Sequence, residues 1–310
     1  MSALSKRLMG WLLLGQFVAL AGSVAAEGLP YGPVEPPFGA LVSKVHAAGK
    51  RRDYKSLVSL ADNALEKRPP ARVAAMFYTE RCYAVQRLGD NKQAVADCSE
   101  AIRLLPGMKA ALSYRASSYT ALGQADQAVD DLTETLRLGY PYKADIYSRR
   151  AAAYEQLGKR SEARLDYEAV LRAPMKDGFD YIIRARTNSY LGKYKAAAND
   201  FAAARKRTSL DSNQLNAAAW FEATCPDVVF RNGKIAIRDA TKALESAHSD
   251  PHVLDTVPCA YAETGDFAQA ISYVERAIKV AGPSRRLADL LRGHLRLFQE
   301  KKPCRAEREF

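Results

Sequence analysis

Four arginines in the middle of this sequence each precede an aspartate by sixteen residues. The pairs are Arg81 and Asp97, Arg115 and Asp131, Arg150 and Asp166, and Arg184 and Asp200. A guanidinium binds a carboxylate or a phosphate through two parallel N–H donors, so two interpretations are open. Either the arginines form a row that holds an anionic ligand, or each pairs with its own aspartate inside the fold. The matching aspartates would neutralise such a row, which favours structural ion pairs.

The five cysteines could form disulfides if the chain reaches an oxidising compartment. Cys82 and Cys98 lie sixteen residues apart on what should be two antiparallel helices, so they are either bridged or two buried thiols. Cys225 and Cys259 should occupy equivalent sites on neighbouring elements, where a disulfide is hard to reach unless Pro226 distorts the backbone. Cys304 is expected to be an incidental exposed thiol in the tail.

Motifs that carry catalysis are missing from the sequence. It contains no G-x-S-x-G, no P-loop, no H-E-x-x-H and no C-x-x-C. His248 and His252 have helical spacing, but Pro251 lies between them and should prevent both rings from sharing a helix face. His46 and His294 have no clustered partners along the chain. We therefore expect no enzymatic activity, no metal site and no cofactor.

The N-terminus has the order of a secretory signal peptide. Lys6 and Arg7 precede about fifteen mostly apolar residues, and small residues follow in "SVAAE". Cleavage is expected near Ala26, and an uncleaved inner-membrane anchor is the alternative. Nothing after this segment is long and apolar enough to span a membrane, so we expect an exported protein that is periplasmic or secreted.

The basic charge does not point to nucleic acid. Removal of residues 1–26 takes away Lys6 and Arg7, which lowers the formal charge from +11 to +9. Many of the remaining cations stand near predicted helix C-termini, where they favour the helix dipole and face solvent. Together with the export signal, this distribution argues against nucleic-acid binding.

The elements that would position these residues repeat along the chain. A small residue follows each predicted turn at intervals of 37, 34, 35, 34, 39 and 34, at positions Leu57, Ala94, Ala128, Ala163, Ala197, Ala236 and Ala270. Each unit has two amphipathic helices, and in five units a glycine ends the first: Gly89, Gly123, Gly158, Gly192 and Gly265. The sequence therefore predicts about seven helix pairs within residues 38–283.

This pattern resembles bacterial tetratricopeptide repeat proteins, whose period is 34 residues. The resemblance covers roughly residues 38–300, and Trp220 and Tyr261 match aromatic positions of the repeat signature. It implies an all-α solenoid with a right-handed superhelix. Leu57, Val170 and Thr135 depart from the usual alanine, and Pro226 is expected to shorten its first helix.

The flanking segments lack repeat character. Residues 27–37 form a proline-rich lead-in, and residues 284–300 predict one amphipathic helix that caps the last repeat. Residues 301–310 are expected to be a flexible tail.

Family geometry would line a concave groove with residues of the first helices. Because these positions change in character from repeat to repeat, a partner segment could bind there, with Phe179, Ile182 and Phe221 seating an apolar anchor. The alternative is that these apolar groups pack between neighbouring helices. The predicted groove residues are Thr79, Tyr83, Ser113, Ser117, Ser148, Ala152, Glu155, Phe179, Ile182, Arg186, Phe221 and Asp255.

The resemblance implies a non-catalytic scaffold or adaptor that binds other proteins in the bacterial cell envelope. Two alternatives stay open: an assembly or chaperone-like factor for exported proteins, and a regulatory subunit of an envelope enzyme. The groove lacks the lysines and asparagines with which some eukaryotic repeats hold a C-terminal carboxylate, so that activity is not expected here.

Overall fold

The computed structural model describes residues 38–207, 209–247, 250–280 and 285–306. The side chains at positions 251, 252, 285 and 286 are outside this description. The predicted signal peptide and the whole proline-rich lead-in, which lie within residues 1–37, are also outside it. Among the residues that are described, no helix is long and apolar enough to cross a lipid bilayer.

Contacts between Cα atoms divide the chain into two units, and the boundary falls between residues 169 and 170. The described part of the N-terminal unit begins at Phe38. It contains seven helices and the first part of an eighth: α1 Phe38–Lys50, α2 Tyr54–Glu66, α3 Ala71–Arg87, α4 Asn91–Leu104, α5 Lys109–Ala121, α6 Ala125–Arg137, α7 Lys143–Gln156 and α8 Arg160–Arg172.

The C-terminal unit takes the end of α8 and seven further helices. They are α9 Gly178–Tyr190, α10 Tyr194–Arg207, α11 Ser212–Thr224, α12 Gly233–Ser246, α13 Pro251–Glu263, α14 Phe267–Val280 and α15 Arg285–Gln299. The described residues thus form seven helix pairs followed by one more helix. Within each unit, each helix that begins a pair is called here a first helix, and its partner a second helix.

Each turn inside a pair is built from local chemistry. Gly89 ends α3 with a φ of +95°, a conformation that costs a side-chain-bearing residue energy. Asp90 then caps α4 by accepting a hydrogen bond from the Gln93 backbone N–H. The four equivalent glycines also have positive φ, which confirms their predicted role: Gly123, Gly158, Gly192 and Gly265.

Small residues form the contact between the two helices of a pair. All seven register residues, from Leu57 to Ala270, are buried. An alanine at this position lets two helix backbones approach closely, and larger side chains fill the space around it. The register found in the sequence is therefore the packing register of the fold.

Pro226 does not shorten its helix. The helix before it, α11, has 13 residues, the same length as α5 and α9. The proline instead opens a longer connection that contains a short 3₁₀ turn, Val228–Phe230. This connection accounts for the interval of 39 residues in the sixth repeat.

Helix α15 covers the end of the last pair. Leu291, His294 and Phe298 lie on one face and are buried, and the helix packs on α14 and α13. Apolar surface that the seventh repeat would otherwise expose is therefore removed from water.

Candidate functional site

The structure brings all four predicted Arg–Asp pairs together as bidentate ion pairs, called here the ladder. Arg115 Nε lies 2.8 Å from Asp131 Oδ2, and its Nη2 lies 2.7 Å from Oδ1. The other three pairs share this geometry, with distances of 2.6–2.9 Å. The turn at each glycine places the arginine of the first helix level with the aspartate of the second.

Three of these arginines also bond to the preceding repeat. Arg81 Nη1 lies 2.6 Å from Asp62 on α2, Arg115 Nη1 lies 3.0 Å from Ser99 on α4, and Arg150 Nη1 lies 3.0 Å from Thr133 on α6. Each guanidinium therefore joins three helices. Since its donors are used within the fold, the alternative of an arginine row for anionic ligands does not describe this site.

In the sixth repeat, the buried aspartate of the second helix pairs with an arginine from a different helix. Asp239 has no arginine sixteen residues before it, but Arg205 of the preceding second helix lies 2.7 Å from its carboxylate. Arg205 also lies 2.9 Å from Glu222. Burial raises the pKa of Glu222 to about 7, although the charge of Arg205 acts in the opposite direction.

Cys82 and Cys98 form a disulfide between α3 and α4. Both residues are fully buried within the second repeat. Of the two alternatives left open by the sequence, the structure has the bridge rather than the two buried thiols.

The other cysteines correct the sequence analysis. Cys259 is bonded to Cys304 rather than to Cys225, and Cys225 is buried and belongs to neither disulfide. Cys304 itself is buried, so it is not an exposed thiol. The expectation of a loose tail is wrong for residues 301–306, because a covalent bond fastens them to α13. A disulfide pattern across 45 residues has no spacing rule that a single sequence could reveal.

His294 also has partners that the sequence did not indicate. Its Nδ1 lies 2.7 Å from Asp255 Oδ1 and 3.8 Å from Cys259 Sγ, in a buried cluster. Burial alone would lower the pKa of His294, but the charge and the hydrogen bond of Asp255 outweigh it, so the pKa lies above its usual value. His294, Cys259 and Cys304 lie close enough to hold a metal ion, yet here the disulfide occupies both sulfurs. His248 and the side chain of His252 are outside the described residues.

Most of the predicted groove residues of the N-terminal unit are buried or make contacts within the unit. Thr79 Oγ1 donates to the carbonyl of Ala75, and Tyr83 packs against the rings of Tyr54 and Tyr114. Ser148 and Ala152 are buried. These four side chains are therefore not exposed to a partner.

A buried arginine that the sequence analysis missed fixes the middle of this surface. Arg149 on α7 donates through Nη1 to Ser113 Oγ and through Nη2 to Ser117 Oγ, both at 2.6 Å on α5. It also pairs with Asp145 at 3.3 Å. The sequence did indicate a separate role for Arg149. Because it directly precedes the ladder residue Arg150, its side chain must face another side of the helix. Ser117 and Glu155 remain partly exposed.

The C-terminal unit corrects the proposed apolar anchor site. Ile182 and Phe221 belong to one buried cluster, in which the rings of Phe221 and Phe201 are 5.2 Å apart. Phe179 is buried too, and Asp255 is covered by His294. The alternative of packing between neighbouring helices therefore holds for Ile182 and Phe221. Of the predicted groove residues in this unit, only Arg186 is partly exposed.

Comparison with known proteins identifies the repeat. A family model described as tetratricopeptide repeat matches residues 144–174 and 259–282. The first match covers nearly all of the α7–α8 pair, and the second covers the end of α13 and all of α14.

Solved structures with the same fold share little sequence with this chain. A tetratricopeptide repeat protein from Parabacteroides merdae is 18% identical, with a TM-score of 0.53 over 84% of this chain and 98% of that one. The Cut9–Hcn1 hetero-tetramer of the APC/C matches at 17% identity and a TM-score of 0.59 over 95% of this chain and 57% of that one. Yeast Tom70 matches at 12% identity and a TM-score of 0.56 over 94% of this chain and 69% of that one.

At these identities, similarity to the solved structures is evidence for the fold alone. The repeat period, the glycine turns, the buried register residues and the family match agree with one another. The chain therefore carries tetratricopeptide repeats and folds as tetratricopeptide repeat proteins do.

Proposed function

We propose that this protein is a non-catalytic scaffold or adaptor that binds a segment of another protein on the face that the first helices form within a unit. The observation that carries the proposal is the Arg149 network. Its hydrogen bonds to Ser113 and Ser117 tie α7 to α5 and fix the two first helices side by side. A surface that is rigid before binding loses little conformational entropy when a partner is ordered on it.

The fold supports this proposal. Stacked helix pairs present an extended surface without any reactive group, which suits binding rather than catalysis. The same fold occurs in the Cut9–Hcn1 hetero-tetramer, an assembly of different protein chains. By analogy of fold, we extend to this chain only the general activity of binding proteins.

A photo-reactive amino acid at position 155 tests the proposed surface. Glu155 is partly exposed on first helix α7, whereas Glu162 is exposed on second helix α8 of the same repeat. We expect irradiation of cells to join a partner protein to the chain labelled at position 155 and not to the chain labelled at position 162. Equal capture from both positions, or none from position 155, would contradict the proposal.

The pattern of captured proteins also separates the kinds of scaffold. One long-lived partner supports an adaptor, and many unfolded exported chains would indicate a chaperone-like factor. Capture of a single envelope enzyme, whose activity then changes when the purified protein is added, would indicate a regulatory subunit.

We further propose that the protein works in the cell envelope of a bacterium, as a periplasmic or secreted protein. The support is the signal-peptide order at the N-terminus and the two disulfides, which persist in oxidising compartments. The mature chain should begin at or near Glu27, and N-terminal sequencing of protein from cell fractions checks this. Cytosolic protein that retains Met1 would contradict export, and membrane-bound protein that retains it would indicate the uncleaved anchor.

A further inference from the structure

One face of α13 belongs to the same register as the predicted groove. Asp255 stands 34 residues after Phe221, and Cys259 follows four residues later, as Tyr83 follows Thr79. Glu263 adds another four-residue step, so these three residues of α13 lie on one helix face. A partner that used the first helices of the last two repeats would meet this face.

The chain's own C-terminal segment already lies there. Residues 300–306, called here the strap, leave α15 and cross the ends of two first helices. Cys304 is bonded to Cys259, and Arg305 Nη1 lies 2.6 Å from Glu263 Oε2, both on α13. The backbone N–H of Ala306 donates to the carbonyl of Thr224, the last residue of α11, over 2.9 Å.

These contacts are of the kind that recognises an extended peptide. The last carbonyls of a helix have no intrahelical donor, so the carbonyl of Thr224 can accept from any peptide N–H that passes. Glu263 is largely buried, pairs with Arg231 at 2.9 Å and receives the cation of the strap as well. A backbone acceptor and a carboxylate together specify an extended segment with a basic side chain.

We propose that this face of α11 and α13 is a peptide-binding site, which the strap fills until the Cys259–Cys304 disulfide is reduced. The partner is then an extended segment of another protein that carries an arginine or a lysine for Glu263. This inference rests on the proposed scaffold function and adds its binding site and its control.

The opening step is a reduction by a dithiol. The dithiol transfers two electrons and two protons to the disulfide, which leaves thiols on Cys259 and Cys304 and converts the reductant to its own disulfide. Once released, the strap remains tethered at α15 and competes with the partner at a high effective concentration. Reduction alone should therefore weaken the inhibition of partner binding by the strap without abolishing it.

A fluorescent peptide with the sequence of residues 300–306, with serine in place of the cysteine, serves as the probe. The full-length variant Cys304→Ser with Arg305→Glu should release the strap, because the covalent bond is lost and Glu263 repels the new carboxylate. We expect fluorescence anisotropy to show at least tenfold tighter binding of the probe to this variant than to the oxidised wild type. Adding Glu263→Gln to the variant should weaken the binding about tenfold again.

The variant Cys82→Ser with Cys98→Ser is the matched control, because it loses the other disulfide and keeps the strap. It should bind the probe as weakly as the wild type does. Equal binding to the wild type and the released variant, or no binding to a released variant with unchanged circular dichroism, would overturn the proposal.

Hydrogen exchange provides a test that does not depend on the released variant. In the chain with Cys82→Ser and Cys98→Ser, a dithiol can reduce only the strap disulfide. Backbone exchange at residues 304–306 should then accelerate, and added probe should slow exchange in α13. Unchanged exchange on both counts would overturn the proposal. If the probe binds while position 155 captures nothing, this site stands and the wider scaffold function fails. If position 155 captures a partner while the probe does not bind, the scaffold function stands and this site fails.

Discussion

At the scale of single residues, the ladder is a set of buried carboxylates that depend on their arginines. Asp131 is buried, and this burial raises its pKa even though Arg115 acts in the opposite direction. Removing the arginine would leave an ionisable group in a poorly solvated site. The pair matters for stability mainly because removal of one side chain leaves the other as a buried charge without a counter-charge.

Arg115→Ala should therefore lower the free energy of unfolding by about 1–3 kcal/mol. Together with Asp131→Ala, the loss should be smaller than the sum of the two single losses, because the double variant leaves no buried charge. Urea unfolding of the four proteins in this cycle measures the coupling. Additive losses would mean that the two side chains do not interact in solution.

Arg103 provides the contrast. It pairs with Glu100 on the surface of one helix, and both groups face water. Arg103→Ala should leave the unfolding midpoint unchanged within error, since exposed ion pairs contribute little.

The raised pKa of Glu222 predicts that its contribution to the stability of the fold decreases as the pH rises. A carboxylate with a lowered pKa in the folded state has the opposite effect. Its folded pKa of about 7 is higher than the usual value of 4.5, so between these pH values the folded state holds the proton more tightly than the unfolded state. Stability from this residue is then full below pH 4.5 and falls as the pH rises through about 7, by about 1–3 kcal/mol. In Glu222→Gln this fall should be absent from denaturation curves measured across the range. A wild type and variant with parallel profiles would contradict the raised pKa.

At the scale of elements, the disulfides join helices that the repeats already place together. Cys82–Cys98 joins the two helices of the second repeat, whereas Cys259–Cys304 joins α13 to the strap beyond α15. The first bond reinforces a contact that packing makes anyway. The second determines where a segment lies that has no repeat to hold it.

Thiol titration checks both bonds at once. Denatured but unreduced protein should show one thiol, that of Cys225, and reduced protein should show five. Replacing Cys82 and Cys98 by serine should lower the free energy of unfolding by about 3 kcal/mol, the value for a closed loop of roughly 15 residues. Three thiols in the unreduced protein would show that one of the bonds is absent, and peptide mapping would identify it.

Local patterns in the sequence predict the elements well, and contacts between distant elements poorly. Glycine turns, aspartate caps and a small residue every 34 positions each act within one repeat, so the helix pairs and the Arg–Asp spacing can be found without a structure. Arg205 with Asp239, and Cys259 with Cys304, join residues 34 and 45 positions apart through one particular packing. The groove prediction failed for Ile182 and Phe221 because periodicity shows which face a residue occupies, but not how much of that face a neighbouring helix covers.

At the scale of the whole molecule, stability within each unit passes from one repeat to the next, since helix pairs of the same unit pack on their neighbours. Loss of a contact at one end of a unit should therefore lower stability most in the repeats nearest that end. Helix α15 is the place to test this, because it closes the C-terminal unit.

Phe298→Ala should destabilise the seventh repeat by about 3–5 kcal/mol, because Phe298 is fully buried between α15 and the last pair. Hydrogen exchange should rise in residues 250–280 and stay near the wild-type rate in residues 38–66. Leu165→Ala, at a leucine that is 63% exposed, should change neither region. A uniform rise along the chain would show that the molecule unfolds as one cooperative body.

The three-helix contacts of the ladder arginines have a consequence for insertions and deletions. The distance along the chain from arginine to its aspartate is always 16 residues. The distance back to the partner in the preceding repeat varies, at 19, 16 and 17 residues for Asp62, Ser99 and Thr133. All length variation among these repeats therefore falls in the connection from a second helix to the next first helix. Added residues should be tolerated near Lys67–Pro70 or Gly139–Tyr142, whereas one residue added at Gly123 would move Asp131 away from Arg115.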